Sequence, residues 1–275
     1  MSRAATLAGL ANLMTTVALL GAAACGGDGP EAAPWTLVWS DEFAGPAGAP
    51  PDASKWRFAL GGDGWGNQEL QLYTERPDNG ALDGNGALVI TARREAVGGN
   101  AFTSARIFSK GHFEQVYGRF EARLRLPSGR GFWPAFWMLG ANVDAVGWPK
   151  CGEIDIMEER GAQPWRVSGA VHGPGHSGGN ALIAGFEEPG RVPLSNDFHV
   201  YAVDWDAEEL RFYVDDQQYH SVRKSRMPPA ATWVYDHPFF LLLNLSVGGN
   251  FGGPPDETTP FPETLVADYV RVYAR

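Results

Sequence analysis

The chain has 275 residues, of which 44% are hydrophobic and 20% charged, so it is long enough for one large domain and its composition excludes wholesale disorder. Thirty-two acidic residues against 22 Lys and Arg give a formal net charge of −10, which argues against a nucleic-acid partner. Thirty-five Gly and twenty Pro indicate many turns and few long helices.

Residues 1–25 have the pattern of a secretory signal. Arg3 precedes an apolar run that ends in the small residues "AAAC", as signal peptides do before their cleavage site. A retained membrane helix is the alternative, which the polar residues inside this short run disfavour. Cys25 stands where a lipoprotein signal places its lipidated cysteine, but Ala22 replaces the usual Leu, so lipidation and plain cleavage both stay open. We therefore expect a secreted or extracytoplasmic protein, whose one link to a membrane would be a lipid anchor at Cys25.

The rest of the chain has the pattern of a short linker followed by one domain. Residues 26–34, "GGDGPEAAP", have the composition of a flexible tether. Residues 35–275 contain no second linker and no repeat, which favours a single domain. Cys151 is the only cysteine in that range, so it cannot form a disulfide within the domain. We expect a monomer.

The first strands of the domain show the alternation of a half-buried sheet. "ALVITARR" precedes "YGRFEARLRL", in which Phe120 and Ala122 share one face and charged residues the other. "FWPAFWML" follows, and as a strand it places Trp133 and Trp137 on one face.

The next segment, "GEIDIMEE", crowds acids into an apolar run. On a strand, Glu153 and Asp155 would lie on one face and the isoleucines on the other. Glu158 is five residues from Glu153, so a β-bulge at Ile156 or Met157 is needed to bring it to the same face. A helix would turn through about 500° over these five residues and separate the two glutamates. The run therefore predicts a bulged strand with three acids on one face.

The C-terminal part adds further strands. "FHVYAVDW" is rich in aromatic residues, and "LRFYVDDQQYHSV" predicts a hairpin that turns between Asp215 and Gln218. "PFFLLLNLSVGG" is apolar on both faces and should be central, and "ADYVRVYAR" closes the chain. Short strands separated by Gly and Pro clusters predict an all-β sandwich of two antiparallel sheets, a β-jelly roll.

Two glutamates on one face can perform the two tasks of retaining glycoside hydrolysis. One attacks the anomeric carbon and the other protonates the leaving oxygen. Their carboxyl groups must come within about 5–5.5 Å, so the sheet should be concave, with a substrate cleft across it. Crowding keeps the acids from ionising together, and Asp155 would hydrogen-bond the nucleophile. A chance acidic strand face and a Ca²⁺ site are the alternatives, although one strand face supplies few converging oxygens.

These motifs resemble those of glycoside hydrolase family 16, and within it the bacterial laminarinases, which are endo-β-1,3-glucanases. "GEIDIMEE" is similar to the family's E-x-D-x-x-E signature, and "WGNQELQLYT", "GFWPAFWMLG" and "LLLNLSVGGNFGG" are similar to further family blocks, in family order. The resemblance covers nearly all of residues 35–275, which it implies to be the catalytic domain. It implies Glu153 as nucleophile, Asp155 as assisting residue and Glu158 as acid/base, with no cofactor required for catalysis.

Six further side chains are candidates for substrate binding: Asn67, Arg106, Trp133, Trp137, Trp148 and His172. Indole rings suit the C–H faces of glucose, although large strand aromatics are often simply core. The resemblance places Asn67 near the sugar, and an ordinary turn residue is its alternative. Arg106 would either donate to sugar hydroxyls or pair with an acid. His172 would contact the leaving-group side or be a solvated residue at a strand end.

A structural Ca²⁺ and three functions stay open. The resemblance implies a calcium site on the convex side, at Glu42, the Gly86 carbonyl and Asp268, although Asp268 could equally be a surface acid. The leading function is endo-acting retaining hydrolysis of β-1,3-glucan, a polysaccharide like laminarin. The alternatives are the same chemistry on mixed-linkage β-glucan or a galactan, and a non-catalytic glucan-binding domain. A pure binder needs no acid pair, so the pair favours an enzyme.

Overall fold

The computed structural model describes Met1 and residues 33–275. The predicted signal segment, Cys25 and most of the predicted linker therefore lie outside the described residues. Pro34–Arg275 form one compact unit. In this part of the chain no helix is long and apolar enough to cross a membrane.

Strands are the main regular secondary structure of the compact unit. In chain order these begin with β1 Thr36–Asp41, β2 Arg57–Phe58, β3 Gln71–Tyr73, β4 Gly80–Leu82, β5 Leu88–Val97, β6 Asn100–Ser104, β7 Arg106–Phe108, β8 Gly118–Arg125 and β9 Phe132–Gly140. They continue with β10 Glu153–Glu159, β11 Arg166–His172, β12 Leu182–Glu187, β13 His199–Trp205, β14 Glu209–Val214, β15 Gln217–Arg223, β16 Phe239–Val247 and β17 Glu263–Ala274. The α-helices are two single turns, α1 Val143–Val146 and α2 Gly249–Gly252, and four short 3₁₀ turns cover Gly178–Asn180, Pro189–Arg191, Leu194–Asn196 and Lys224–Arg226.

The strands form two sheets. The larger has ten strands, in the order β15-β14-β13-β8-β17-β5-β6-β3, with β1 on β17 and β4 on β5. The smaller has seven, in the order β12-β11-β10-β9-β16-β7-β2. All pairings are antiparallel except that between β3 and β6, which is parallel. This all-β, jelly-roll arrangement is the predicted fold, with one parallel pair added.

The core lies between the two sheets. On β8, Phe120, Ala122 and Leu124 are fully buried, and Arg119 and Arg123 lie on the opposite face, as the alternation predicts. Every residue of β16 is buried, and this strand lies between β9 and β7, so its prediction as a central strand is confirmed. Burial of large apolar side chains contributes about 1.5–3 kcal/mol each, which favours this pairing of faces over any slipped register.

The predicted hairpin is also present. β14 and β15 are antiparallel neighbours joined by Asp215 and Asp216. Both aspartates have positive φ, 47° and 66°, the backbone that a tight two-residue hairpin turn requires and that Asp tolerates better than most residues. The turn lies at an edge of the ten-stranded sheet, away from the acids of β10.

Candidate active site

A bulge in β10 brings three acids to one face. Asp155 pairs with Ala170 on β11 and Glu158 pairs with Ser168, so three steps along β10 oppose two along β11. The pairing with β9 shifts at the same place. Glu158 thereby returns to the face of Glu153 and Asp155, which is the outer face of the seven-stranded sheet. This is the geometry that the spacing predicts.

The opposite face of β10 packs into the core. Ile154, Ile156 and Met157 are fully buried there. Glu159 also lies on this side, at 0% exposure, and neither of its carboxyl oxygens has a hydrogen-bond partner. Burial therefore raises the pKa of Glu159 well above its usual value, with the Glu263 charge adding to the shift. The fourth acid of the run thus faces the core and takes no part in the acid face.

Burial also raises the pKa of the three outer acids. For Glu153 desolvation is the largest cause and the Asp155 charge the second, and together they raise the pKa to about 8. For Glu158 the same two causes act in the same order, again to about 8. Desolvation alone raises the pKa of Asp155 to about 8. The three titrations are coupled, so the cluster keeps protons near neutral pH, as acid catalysis needs.

His172 stabilises charge on these acids from the neighbouring strand. Its Nδ1 accepts the Gly178 N–H at 3.1 Å, so Nε2 carries the ring proton. Nε2 lies 3.0 Å from Asp155 Oδ2 and 3.7 Å from Glu153 Oε1. The first contact lacks the alignment of a hydrogen bond, which leaves Asp155 Oδ2 buried without a donor. A proton on Asp155 itself would satisfy that oxygen.

The two predicted tryptophans of β9 have different partners. Trp133 Nε1 donates to Glu158 Oε1 at 2.9 Å, a bond that favours the ionised form of Glu158 and opposes the effect of burial. Trp137 Nε1 donates to Asn244 Oδ1 at 2.8 Å. Both indoles are half-buried on the acid face. They lie beside the acids, although they are only partly free to stack on a ligand.

Arg106 pairs with a buried acid. Its Nη2 lies 3.3 Å from Glu69 Oε1, and its guanidinium lies 4.7 Å from the Trp65 ring and 5.5 Å from the Trp137 ring. Tyr73 and Glu69 share a hydrogen bond of 3.0 Å in the same cluster. The acid pairing that the sequence left open is therefore present, and it holds Arg106 against the aromatic rings.

Sequence reasoning did not assign roles to Trp65, Glu69 and Tyr73. The alternation of Glu69, Gln71 and Tyr73 in "ELQLY" was a usable signal, because it places polar residues on one side of an otherwise apolar strand. Glu69, Gln71 and Tyr73 are all buried. Gln71 Nε2 also donates to Glu69 Oε2 at 2.7 Å. The cluster orients Arg106, which lies three strands away from Glu158.

Asn67 and Trp148 lie on loops that flank the acid face. The Asn67 carbonyl accepts the N–H of Asn250, in α2, at 2.8 Å, so its loop lies beside Trp133. Trp148 is 49% exposed, with its ring 6.0 Å from that of His172. Of the six predicted substrate-binding residues, three therefore lie on strands of the sheet that carries the acids, one at the end of β11 and two on loops.

The predicted calcium residues belong to the ten-stranded sheet or to loops beside it, since Glu42 follows β1, Gly86 lies between β4 and β5, and Asp268 is in β17. Asp268 occupies an irregularity in β17, and the Glu42 carbonyl lies close to Gly86. Both carboxylates are engaged, because Glu42 pairs with Arg271 at 2.8 Å and Asp268 Oδ2 with Arg123 at 2.7 Å. Ca²⁺ accepts main-chain and carboxylate oxygens as ligands. The ion would therefore be held only by oxygens that the arginines do not bind, which are the Glu42 and Gly86 carbonyls and the second carboxylate oxygen of Asp268.

Comparison with known proteins decides the family. The model of the glycosyl hydrolases family 16 matches residues 67–264. The chain belongs to glycoside hydrolase family 16. A β-glucanase from Rhodothermus marinus is 46% identical over 93% of this chain and 91% of its own length, and a glucan endo-1,3-β-glucosidase from Cryptopygus antarcticus is 40% identical over 80% and 84%. The laminarinase catalytic domain from Thermotoga maritima superposes with a TM-score of 0.83 at 46% identity, covering 88% of this chain and 98% of that one.

Family 16 membership makes the chain a retaining glycoside hydrolase that needs no cofactor for catalysis. One group of side chains in the site could nevertheless hold a metal ion, since ligand atoms of Glu153, Asp155 and His172 lie within 4.8 Å of one another. A cation there would compete with the protons that the acids need. The arrangement is therefore better suited to proton transfer than to metal catalysis.

Proposed function

We propose that this chain is an endo-acting retaining hydrolase of β-1,3-glucan, with Glu153 as nucleophile, Asp155 as its assisting residue and Glu158 as acid/base. The observation that carries the proposal is the set of three coupled acids on one strand face, of which Asp155 and Glu158 are buried and Glu153 is half-buried. The activities named for the Cryptopygus glucan endo-1,3-β-glucosidase and the Thermotoga laminarinase support β-1,3-glucan as the polymer. The acid face is flanked by strands on both sides, which suits cleavage within a chain.

In the first step, Glu153 attacks the anomeric carbon while Glu158 gives its proton to the leaving oxygen. Protonated Asp155 donates to Glu153 and so favours the anionic form of the nucleophile. The N–H of Trp133 then stabilises the Glu158 carboxylate that this step leaves behind. His172, whose Nε2 lies 3.0 Å from Asp155 Oδ2 and 3.7 Å from Glu153 Oε1, favours negative charge on the same side.

In the second step, the Glu158 carboxylate takes a proton from water as the water attacks the glycosyl ester of Glu153. The C–O bond to Glu153 breaks, and the sugar leaves with its original anomeric configuration. Glu158 is protonated again and ready for the next cycle.

Reducing-sugar release from laminarin, lichenan, agarose and carrageenan tests the substrate. We expect laminarin to be cleaved fastest, with a ladder of oligosaccharides as products. A higher rate on lichenan or on a galactan would assign the same chemistry to another polymer. Binding of laminarin with no release of reducing sugar would indicate a glucan-binding domain.

We also propose that the protein acts as a monomer and that it is exported, the export being supported by the signal pattern of residues 1–25. Two N-termini compete, one lipidated at Cys25 and one from plain cleavage. The mass of the mature protein distinguishes them, because diacylation adds several hundred daltons. Retention of the full-length chain in the cytoplasm would contradict export.

A structural Ca²⁺ is a further proposal, supported by the proximity of the Glu42 carbonyl to Gly86. The main-chain oxygens of Glu42 and Gly86 and the Asp268 carboxylate would hold it. Millimolar Ca²⁺ should then raise Tm in the wild type and leave that of Asp268→Ala unchanged. An equal response in both proteins would show that Asp268 only pairs with Arg123.

A further inference from the structure

Two rows of residues cross the outer face of the seven-stranded sheet, roughly perpendicular to its strands. One row runs through Asp155 and the other through Glu158. On the β9 side, Trp137 lies directly beside Asp155, and Arg106 lies three strands away in the Glu158 row. This half of the face therefore combines an aromatic ring with a guanidinium group.

The rows continue on the β11 side. Their members there are Asp155, Ala170 and Ile183 in one row, and Glu158, Ser168 and Gly185 in the other. Ile183 is 50% exposed, and residues 183, 185 and 187 of β12 alternate outward with Phe186 buried. β12 is two strand spacings, about 10 Å, from the acids. An exposed apolar side chain thus continues the Asp155 row beyond the catalytic strand.

Arg166 supplies the matching guanidinium in this half. A Cβ atom on Gly185 would lie 2.9 Å from Arg166 Nε and 3.0 Å from Nη2, so the absence of a side chain lets the guanidinium lie across β12 in the Glu158 row. Glu187, opposite Arg166 in the ladder, pairs with Arg191 instead. No carboxylate within residues 33–275 therefore occupies the Arg166 donors.

We propose that Ile183 and Arg166 form the acceptor subsite of this enzyme, which binds the glucosyl units on the leaving-group side of the scissile bond. The inference rests on the proposed function. Ile183 would lie against a sugar C–H face, and the guanidinium would donate to ring hydroxyls. Because Ala170 has a small side chain and Gly185 has none, the sheet surface beside Ile183 and Arg166 leaves room for the sugar rings.

The depth of the two halves decides which one is the acceptor side. The β9 half is closed in, since Arg106 is buried against Trp65 and Trp137. The β11 half is shallow, since Ile183 and Arg166 are exposed. After the first step the leaving chain must depart and water must enter, whereas the other sugars stay bonded to Glu153. The shallow half suits the part of the substrate that is exchanged.

An acceptor subsite also admits a second sugar in place of water. A hydroxyl of that sugar would attack the anomeric carbon of the glycosyl ester, the bond to Glu153 would break, and the hydroxyl proton would pass to the Glu158 carboxylate. The product is a longer glucan. The fraction of intermediate that takes this route depends on how well Ile183 and Arg166 hold the acceptor.

The test compares two substrates in an Ile183→Ala/Arg166→Ala double variant. Laminarihexaose spans both halves of the face, whereas an aryl β-laminaribioside has only its aryl group on the β11 side. We expect kcat/KM to fall about tenfold on the hexaose and to stay within about twofold on the aryl glycoside. Val192→Ala and Arg125→Ala, at exposed positions outside the strands of the seven-stranded sheet, are the controls and should change neither value.

A second measurement is independent of how much variant is folded. With laminaribiose added as acceptor, the ratio of transfer product to hydrolysis product should fall about tenfold in the double variant. An equal loss on both substrates, an unchanged transfer ratio, or a loss confined to the aryl glycoside would overturn the assignment. If the wild type cleaves the aryl glycoside and no β-1,3-glucan, the proposed polymer is wrong, and that failure is distinct from the others.

Discussion

Glu158 must act first as an acid and then as a base, and its contacts serve both states. Burial favours the protonated form, and the Trp133 N–H favours the carboxylate. Removing one of these two influences should therefore move the pH range of activity without removing activity itself. Such a shift would show that Trp133 adjusts the pKa of Glu158, whereas a residue that only packs would leave the pH range of activity unchanged.

Trp133→Phe should raise the pKa of Glu158, because the ring stays and its N–H donor is lost. The alkaline limb of kcat/KM would move to higher pH by about one unit, and kcat at neutral pH would fall, since the second step needs the carboxylate. A pH–rate profile measures both. Trp137→Phe is the matched control, because its indole donates to Asn244; a similar shift there would show that packing is the cause.

Glu158→Gln should separate the two steps of catalysis. A dinitrophenyl glycoside needs little acid help, so the variant should still form the glycosyl-enzyme and then stall for lack of a base. Azide needs no deprotonation and should relieve the stall, giving the β-glycosyl azide. NMR identifies the anomer, and an α-azide would mean that Glu158 is the nucleophile and the two roles are reversed.

At the level of the strand, β10 carries ionisable groups on both faces, and the groups on the two faces have different roles. Its outer acids titrate during catalysis, whereas Glu159 is held in the core without a hydrogen-bond partner. The folded-state pKa of Glu159 lies well above the unfolded value. Its contribution to stability is therefore full below the unfolded pKa of about 4.3 and is lost as pH rises towards the folded value.

Glu159→Gln should make stability less dependent on pH. The variant and the wild type should have similar Tm values at pH 4, and the variant should become increasingly more stable as pH rises, because only the wild type must ionise a buried group. Thermal unfolding between pH 4 and 9 measures the difference. A constant difference across that range would show that Glu159 does not titrate in the folded protein.

The strands that alternate or are wholly apolar could be predicted from the sequence, because burial on one or both faces fixes their pattern. The bulge could be predicted from parity alone, since only an extra residue brings Glu158 to the face of Glu153. The Glu69 and Arg106 pair could not be identified, because its partners are 37 residues apart and only the fold brings them together. For the same reason Ile183 and Arg166 became visible only through strand register.

For the whole molecule, the compact unit should be sufficient for function. It begins at Pro34, and Arg275 lies 3.9 Å from the Trp35 ring, so the two ends of the unit meet. A protein consisting of residues 35–275 should keep the Tm and kcat/KM of the mature enzyme.

Deletion through Asp41 is the matched control. It removes β1 from β17 and the Asp41 carboxylate that accepts the Trp56 indole N–H at 2.8 Å. We expect a clear fall in Tm for this protein, because a buried donor is left unpaired. Equal Tm values for the two truncated proteins would contradict the contribution that we assign to β1.

The identity of the residue that bonds to the sugar tests the central claim most directly. A 2-fluoro-β-laminaribiosyl fluoride should form the glycosyl-enzyme quickly and release it slowly, because the fluorine destabilises both oxocarbenium-like transition states and the fluoride leaving group favours the first step. Mass spectrometry of the digested protein should then find the added disaccharide on Glu153. A label on Glu158 or Asp155, or inactivation without any label, would contradict the mechanism.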